Sequence, residues 1–149
     1  MPSLPAAGLI THAIQLAIAP VFLLTGIAGL LNVMAGRLAR VIDRTRWYET
    51  TWAGLDPNAR VAARTELALL EQRRRACSWS INYSTVAALL ICLVIVALFV
   101  EEFMSVNLRL VAGALFVAAM IALIGGLACF LREVYIATHT TSIDLTRFE

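Results

Sequence analysis

The sequence has no lysine, and it is poor in charge of either sign. All 12 basic residues are arginine, and charged residues make up 15% of the chain against 60% that are hydrophobic. Soluble domains average about 25% charged residues. The mean hydropathy is +0.82, and no charged side chain precedes Arg37 if His12 is taken as neutral. Together with three long charge-free runs, this composition excludes an ordinary soluble domain and predicts an integral membrane protein.

The sequence also lacks the patterns that carry catalysis or metal binding. Its three cysteines, Cys77, Cys92 and Cys129, are far apart, so we interpret them as small packing residues. No Ser/His/Asp set converges, and no group of His, Cys, Asp and Glu has metal-ligand spacing. We therefore predict no enzyme, no catalytic residue, no metal and no cofactor. Nucleic acid is not expected as a partner, because membrane topology accounts for the arginines and no nucleic-acid-binding module is present.

What the sequence does have is an organising stretch at residues 14–46. Residues 14–36 supply the roughly 20 apolar residues that a helix needs to cross a bilayer core about 30 Å thick. Small residues on one side of such a helix let neighbouring helices approach closely. At alternating spacings of four and three, one seam of this helix carries Thr25, Gly29, Asn32, Gly36, Ala39, Asp43 and Arg46.

Asn32 is the polar exception within the apolar part of that seam. An amide in hydrocarbon is costly unless it is hydrogen-bonded or faces water. Two interpretations stay open at this stage. In the first, Asn32 bonds a carbonyl of a neighbouring helix; in the second, it lines a narrow polar path.

Beyond Gly36 the helix is expected to continue out of the membrane. Arg37, Arg40 and Arg44 recur at helical spacing, with Asp43 placed to pair with Arg40 or Arg46. Snorkelling toward lipid headgroups explains the first two arginines. It explains Arg44 less well, because that residue lies further out.

Residues 37–76 are the only sizeable polar region, and we predict that they form an antiparallel helical hairpin. Asp56 is a suitable N-cap and Pro57 a suitable first helical residue for the second arm. Nothing between Asn58 and Val100 breaks a helix, so this arm should run directly into the second span. We expect the hairpin to project well beyond the bilayer with Trp47 and Trp52 at its tip. The alternative bends it back so that these aromatic residues lie in the headgroup layer.

The predicted fold class is an all-α membrane protein with three transmembrane helices in a single membrane domain. Ser78, Asn82 and Thr85 form a polar strip on the second span, and Gly125 and Gly126 offer a close-packing surface on the third. Because the loop between these spans is short, the two must be antiparallel neighbours. The predicted segments are an N-terminal arm (1–13), the spans (14–36, 77–100 and 110–131), the hairpin (37–76), a short loop (101–109) and a tail (132–149).

The distribution of arginine predicts the orientation. Residues 37–75 hold nine arginines, whereas the short loop holds only Arg109 and the N-terminal arm holds none. The positive-inside rule therefore places the hairpin in the cytoplasm. The N-terminus is then outside and the C-terminus inside, in a bacterial cytoplasmic membrane.

Residues 15–46, with the core APVFLLTGIAGLLNVMAGRLARVIDR, resemble an uncharacterised family of bacterial membrane proteins classified as a domain of unknown function. Asn32, Arg37, Arg40 and the Asp43-Arg44 pair carry the resemblance, which extends over nearly the whole chain. It implies an architecture and no activity. More loosely, the three-span topology is similar to that of ExbB/TolQ-type proton-channel subunits. The hairpin loop is shorter here than in those subunits, and no carboxylate lies inside a predicted span.

The first functional hypothesis is a homo-oligomeric ion channel or pore in the lipid bilayer. Thr25, Asn32, Asn82 and Thr85 are the candidate pore-lining or interhelical polar residues, and Gly29 and Gly36 would support close packing. A positive ring at a mouth favours anions and a negative ring favours cations. The candidates for the cytoplasmic mouth, or for contact with lipid headgroups, are Arg37, Arg40, Asp43 and Arg44; those for the outer mouth are Glu101 and Glu102.

The alternative hypothesis is a non-conducting scaffold or regulator. Its arginine-rich hairpin would bind a cytoplasmic protein partner or anionic lipid headgroups. The polar residues in the spans would then serve only as hydrogen-bonding links between helices.

Overall fold

The structure is a computed structural model, described here over residues 4–104 and 107–139. It consists of three helices, α1 (Leu4–Thr51), α2 (Pro57–Met104) and α3 (Arg109–His139), with a short 3₁₀ turn at Trp52–Gly54. All three helices are long and apolar enough to cross a membrane, which confirms the predicted all-α class. Residues 4–13 of the predicted arm belong to α1. The rest of that arm, residues 105–106 of the loop and residues 140–149 of the tail lie outside the described residues.

The helix boundaries follow from local sequence. α2 begins at Pro57, and the amide of Arg60 donates to the carbonyl of Asp56 at 3.0 Å, as expected for a first turn that starts on proline. From there α2 runs unbroken for 48 residues, which confirms that nothing between Asn58 and Val100 interrupts it. α1 continues through Pro20, whose ring is buried within the bundle.

α2 is the central helix of the bundle. It packs against both other helices, whereas α1 and α3 make few contacts with each other. Contacts between Arg73 and Glu133 at one end and between Glu101 and Arg109 at the other show that α2 and α3 are antiparallel. This confirms the predicted pairing of the second and third spans.

The buried residues of each helix recur every seven positions. A seven-residue repeat keeps one seam facing a partner helix and is typical of coiled coils. The repeat runs without interruption from the hairpin into the apolar segments. It comprises Pro20, Ile27, Met34, Val41 and Tyr48 in α1; Ala63, Leu70, Cys77, Ser84 and Ile91 in α2; and Ala112, Ala119, Gly126 and Glu133 in α3.

Within the apolar segments, α2 and α3 pack closely at Gly126. A Cβ atom at this position would lie 2.8 Å from the Ser84 hydroxyl oxygen, so only glycine fits without a shift. The neighbouring Ser80 is fully buried, and its hydroxyl donates to the Gly126 carbonyl. The same hydroxyl lies 2.8 Å from the Met34 sulfur, so all three helices meet at this level.

Beyond the apolar segments, α1 and α2 continue as the two arms of the hairpin. Val41, Tyr48, Ala63 and Leu70 form a small buried cluster between the arms, and Trp52, Leu55 and Leu67 pack against it. Of the two tryptophans expected at the tip, Trp52 is half-buried and Trp47 is 47% exposed. The cytoplasmic location of the hairpin stays a prediction.

Candidate functional site

At the base of the hairpin, one carboxylate joins all three helices. Glu133 of α3 is completely buried and accepts hydrogen bonds from two arginines. Arg37 of α1 donates from Nη1 at 2.7 Å, and Arg73 of α2 donates from Nη2 at 2.9 Å and from Nε at 3.2 Å. The Arg37 guanidinium also lies 5.4 Å from the ring centroid of Phe130. Two arginines thus stabilise one buried carboxylate, and both are partly exposed, so part of their charge stays hydrated.

The role of Glu133 was missed in the sequence because the residue follows the apolar run and was assigned to the tail. The available signal is its spacing: Glu133 continues the seven-residue series of Ala112, Ala119 and Gly126. A charged residue at a core position needs a charged partner. Arg37, expected to snorkel or to surround a pore mouth, is such a partner.

A second polar cluster links the two arms of the hairpin. Nε of Arg44 donates to Oε1 of Glu66 at 2.9 Å, and the Tyr48 hydroxyl donates to Oε2 of the same carboxylate. The Arg44 guanidinium also lies 4.8 Å from the ring centroid of Trp47 and 5.0 Å from that of Tyr48. Arg44 therefore contacts the opposite arm and the hairpin aromatics, which sequence spacing alone did not reveal.

The contacts within this cluster explain the directions in which the pKa values of its members are shifted. Burial raises the pKa of Tyr48, and the hydrogen bond to Glu66 raises it further. For Glu66, burial alone would raise the pKa, but the hydrogen bonds from Tyr48 and Arg44 and the Arg44 charge outweigh it, so the pKa is lowered. The hydrogen bond to Glu66 also raises the pKa of Arg44. The cluster is therefore an ion pair at neutral pH.

The residues predicted for the arginine-rich mouth thus divide into two groups. Arg37 and Arg44 are held in ion pairs within the chain. Arg40 and Asp43 are exposed, and neither forms an ion pair with a described residue. Of these four residues, Arg40 and Asp43 are therefore the ones available for contacts outside the chain, and their charges are opposite.

The four polar residues predicted for the spans do not converge inside the chain. Thr25, Asn32, Asn82 and Thr85 all lie on the exposed surface of the bundle. The hydroxyls of Thr25 and Thr85 donate to carbonyls of their own helices, at 3.2 Å and 2.9 Å. The amides of Asn32 and Asn82 have no hydrogen-bond partner among the described residues. A single chain therefore encloses no polar path through these residues.

Within residues 14–36 of α1, the exposed polar residues Gln15, Thr25 and Asn32 share one face, which we call the outward seam of α1. It lies opposite the buried seam and consists of residues at alternating spacings of three and four. The sequence predicted the part from Thr25 onward, and the structure extends it toward the other end of the span. The outward seam comprises Gln15, Ile18, Phe22, Thr25, Gly29, Asn32 and Gly36, all exposed.

The glycines predicted for close packing differ in their surroundings. A Cβ atom at Gly125 would lie 3.5 Å from the Tyr83 ring, and one at Gly126 would lie 2.8 Å from the Ser84 hydroxyl oxygen. A Cβ atom at Gly29 or Gly36, on the outward seam, would have no atom of another helix within 4 Å. Any close packing at Gly29 and Gly36 therefore has to involve a second molecule.

The far end of the bundle carries the other charged layer. Glu101 accepts a hydrogen bond from Nε of Arg109 at 3.0 Å, and Glu102 lies beside it, half-buried. Arg73 and Glu101 are about 28 residues apart on α2, which is about 42 Å of helix. A bilayer with its headgroups is roughly 40–45 Å thick. The two charged layers therefore fit the two surfaces of one membrane, with the apolar segments between them.

The bundle has three apolar helices, and its two charged layers lie about one bilayer thickness apart. These features define a multi-pass membrane protein. The chain belongs to the family described as protein of unknown function (DUF2721), which matches residues 17–143. This confirms the resemblance to a family of unknown function. Neither a curated protein nor a solved structure matches the chain, so the looser similarity to ExbB/TolQ-type subunits gains no support.

Proposed function

We propose that this protein is a non-enzymatic, homo-oligomeric pore-forming subunit of a bacterial cytoplasmic membrane. Copies would associate through the outward seam of α1 and enclose a narrow path along it. The observation that carries the proposal is the distribution of polar residues in the first span. Gln15, Thr25 and Asn32 lie on the face that points away from the chain's own core.

The physical argument starts from the cost of an unpaired amide. Transferring an amide from water to an apolar medium without a hydrogen bond costs roughly 2–7 kcal/mol. Asn32 lies five residues from Arg37, or about 7 Å along the helix, which puts it inside the apolar layer. A second copy supplies both a donor and an acceptor, because an asparagine side chain carries both. The neighbouring Gly29 and Gly36 let the two backbones approach.

The order of residues along the seam fits a path with a constriction. Gln15 lies toward one end, and Thr25, Gly29, Asn32 and Gly36 form a polar and narrow-side-chain section toward the hairpin. Between them Ile18 is 48% exposed and Phe22 is 74% exposed. Apolar constrictions of this kind gate pores by excluding water. The seam continues into the hairpin at Asp43 and Arg46, so the hairpin mouth carries both charges and favours neither ion.

Two residues predicted at the other mouth have a different position. Glu101 lies on the buried side of α2 and pairs with Arg109. Glu101 therefore faces α3 and lies away from the outward seam of α1. We retain neither Glu101 nor Glu102 as part of the path.

Cross-linking tests the assembly. In a variant with Cys77, Cys92 and Cys129 replaced by alanine, Asn32→Cys should cross-link between copies in native membranes with a short bismaleimide. Ile124→Cys is the matched control, because Ile124 is 65% exposed on the outward side of α3. Equal yields from the two positions, or none from Asn32→Cys, would reject the α1 interface.

Conduction is tested separately in planar bilayers. The purified protein should pass ions, and Phe22→Ala should raise the open current by widening the constriction. An oligomer that cross-links at position 32 but passes no current under any voltage or gradient would retain the interface and reject the pore.

That last outcome would favour the scaffold function, for which one observation speaks independently. Arg74 and Arg75 are exposed on α2 and share the single carboxylate of Glu71. This leaves net positive charge at the base of the hairpin, suited to anionic headgroups or an acidic protein. Co-purification of a stoichiometric foreign protein that is lost on replacing both arginines by glutamine would support it.

A further inference from the structure

At the end of the bundle away from the hairpin, a cleft opens between α1 and α3. Its volume is about 400 Å³, within the roughly 300–1,000 Å³ of small-molecule sites. The cleft exists because α1 and α3 both pack on α2 and make few contacts with each other. Leu16, Leu98 and Phe116, one from each helix, give it apolar walls.

The rim of the cleft carries charges of both signs. Glu101 and Glu102 come from the end of α2, and Arg109 comes from the start of α3. The Arg109 side chain is 84% exposed and uses Nε to bind Oε1 of Glu101. Its two terminal amino groups are therefore directed to the surroundings, where they can bind an anionic oxygen.

The carboxylate of Glu101 is incompletely satisfied. Its side chain is only 18% exposed, and Oε2 is buried without a hydrogen-bond partner among the described residues. A buried carboxylate oxygen without a donor is costly. Because Glu101 lines the cleft, a ligand that brings an ammonium group there would compensate the charge of the carboxylate, and it would donate to Oε2 once rotation of the carboxylate exposes that atom.

We propose that this cleft binds the headgroup of a zwitterionic phospholipid with a primary amine, of the phosphatidylethanolamine class. The ammonium lies at Glu101 and Glu102, the phosphate lies at the exposed amino groups of Arg109, and an acyl chain follows the apolar walls toward Leu16 and Leu98. The position fits the ligand, because this charged layer lies at the headgroup level of the leaflet opposite the hairpin. The site is independent of any pore.

The test uses the full-length protein reconstituted in bilayers containing equal amounts of phosphatidylethanolamine, phosphatidylcholine and phosphatidylglycerol. After gentle solubilisation, native mass spectrometry counts the lipids that stay bound. We expect phosphatidylethanolamine to be enriched about tenfold, and Glu101→Gln to remove the enrichment, as loss of one charge-assisted hydrogen bond implies. Glu71→Gln is the matched control, since it removes a carboxylate at the other end.

A second variant covers the case in which Glu101→Gln does not fold. Gly113 lines the cleft, and a Cβ there meets no atom within 4 Å, so Gly113→Leu fills the cleft without a clash at its first side-chain atom. It should also remove the enrichment. Equal retention of the three lipids, or enrichment that survives in both variants, would overturn the proposal. Binding of soluble phosphoethanolamine as tightly as the lipid would show that the acyl chain is not recognised, and would overturn the lipid assignment.

Discussion

The outward faces of α1 and α3 lie at the same depth of the bundle and have opposite chemistry. The outward side of α3 presents Leu110, Val117, Ile124 and Leu131, each more than half exposed. The outward seam of α1 presents amides, a hydroxyl and glycines, interrupted only by Ile18 and Phe22. Both faces are exposed in the single chain, so exposure alone does not distinguish them.

The difference lies in what each face needs. Lipid tails are as apolar as leucine, so the α3 face is fully solvated by the bilayer. The α1 face carries groups that lipid cannot satisfy, and its glycines leave a shallow groove along the helix. In a membrane protein, an exposed apolar face therefore needs only lipid around it, whereas an exposed polar face requires a protein partner or water.

The largest expected effect comes from a residue that stabilises the fold and lies on neither outward face. Replacing Glu133 by alanine leaves Arg37 and Arg73 facing each other without their carboxylate. We expect a loss of up to about 3–5 kcal/mol in the free energy of unfolding, the range for broken buried ion pairs, reduced by the hydration of the two partly exposed arginines. Reversible unfolding in detergent micelles measures it.

Glu71→Ala is the control for this variant, since Glu71 also binds two arginines but is exposed to solvent. It should unfold like the wild type. Similar losses in the two variants would mean that burial of Glu133 contributes nothing special to the bundle.

The next effect tests the shape of the α1 face. Gly29→Leu places a large side chain where no atom of another helix lies within 4 Å, so the fold of one chain should be unchanged. If copies pack along this seam, association should weaken about tenfold or more, because the backbones can no longer approach. Energy transfer between donor-labelled and acceptor-labelled copies in proteoliposomes, recorded as lipid is added to dilute the protein, measures the association.

Ala128→Leu places the same side chain at an exposed position of α3 and should leave association unchanged. If instead it disrupts assembly as strongly as Gly29→Leu, the contrast between the faces is wrong.

A smaller effect tests the chemistry of the α1 face. Asn32→Leu keeps the bulk of the side chain and removes the amide, so association should weaken by about 1–2 kcal/mol, the range found for interhelical polar contacts in membranes. Thr25→Val is the control, because the Thr25 hydroxyl already donates to the Val21 carbonyl of its own helix. The same energy-transfer assay applies.

Asn82→Leu locates the interface by comparison. Met34 contacts Ser80, so Asn32 and Asn82 lie at nearly the same depth on different helices. An effect of Asn82→Leu without one of Asn32→Leu would move the interface from α1 to α2.

The sequence alone predicts the helices of this fold and part of the outward seam of α1. Charge-free runs predict the three helices, and Asp56-Pro57 predicts the start of α2, because these signals are local. The alternation of three and four was also recognised in α1, but only for Thr25 to Arg46. Local sequence could not show that this seam points away from α2, since the buried seam beside it, with Ile27 and Met34, has the same period.

The charged contacts of Glu133 could not be predicted from the sequence, for a related reason. Glu133 lies 96 residues from Arg37 and 60 residues from Arg73 along the chain. Pairing over such distances depends on the register of three helices at once. By contrast, the pair of Glu71 and Arg75 spans one helical turn, and such a spacing can be recognised in the sequence directly.

The smallest expected effect uses pH to separate the uncharged α1 seam from the hairpin. The pKa of Glu66 is lowered in the folded protein, so its contribution to stability is present above its unfolded pKa, near 4.3, and is lost as pH falls through the folded value. Hydrogen exchange in the hairpin should therefore be faster in Glu66→Gln than in the wild type at about pH 6, and the gap should narrow at an acidic pH below the unfolded pKa. The side chain is 42% exposed, so solvent screening keeps the gap small.

Residues 14–36 contain no titratable group, and the effect of Asn32→Leu on association should be the same at both pH values. An Asn32→Leu effect that vanishes on acidification would mean that charged residues, and not the amide seam, hold the copies together.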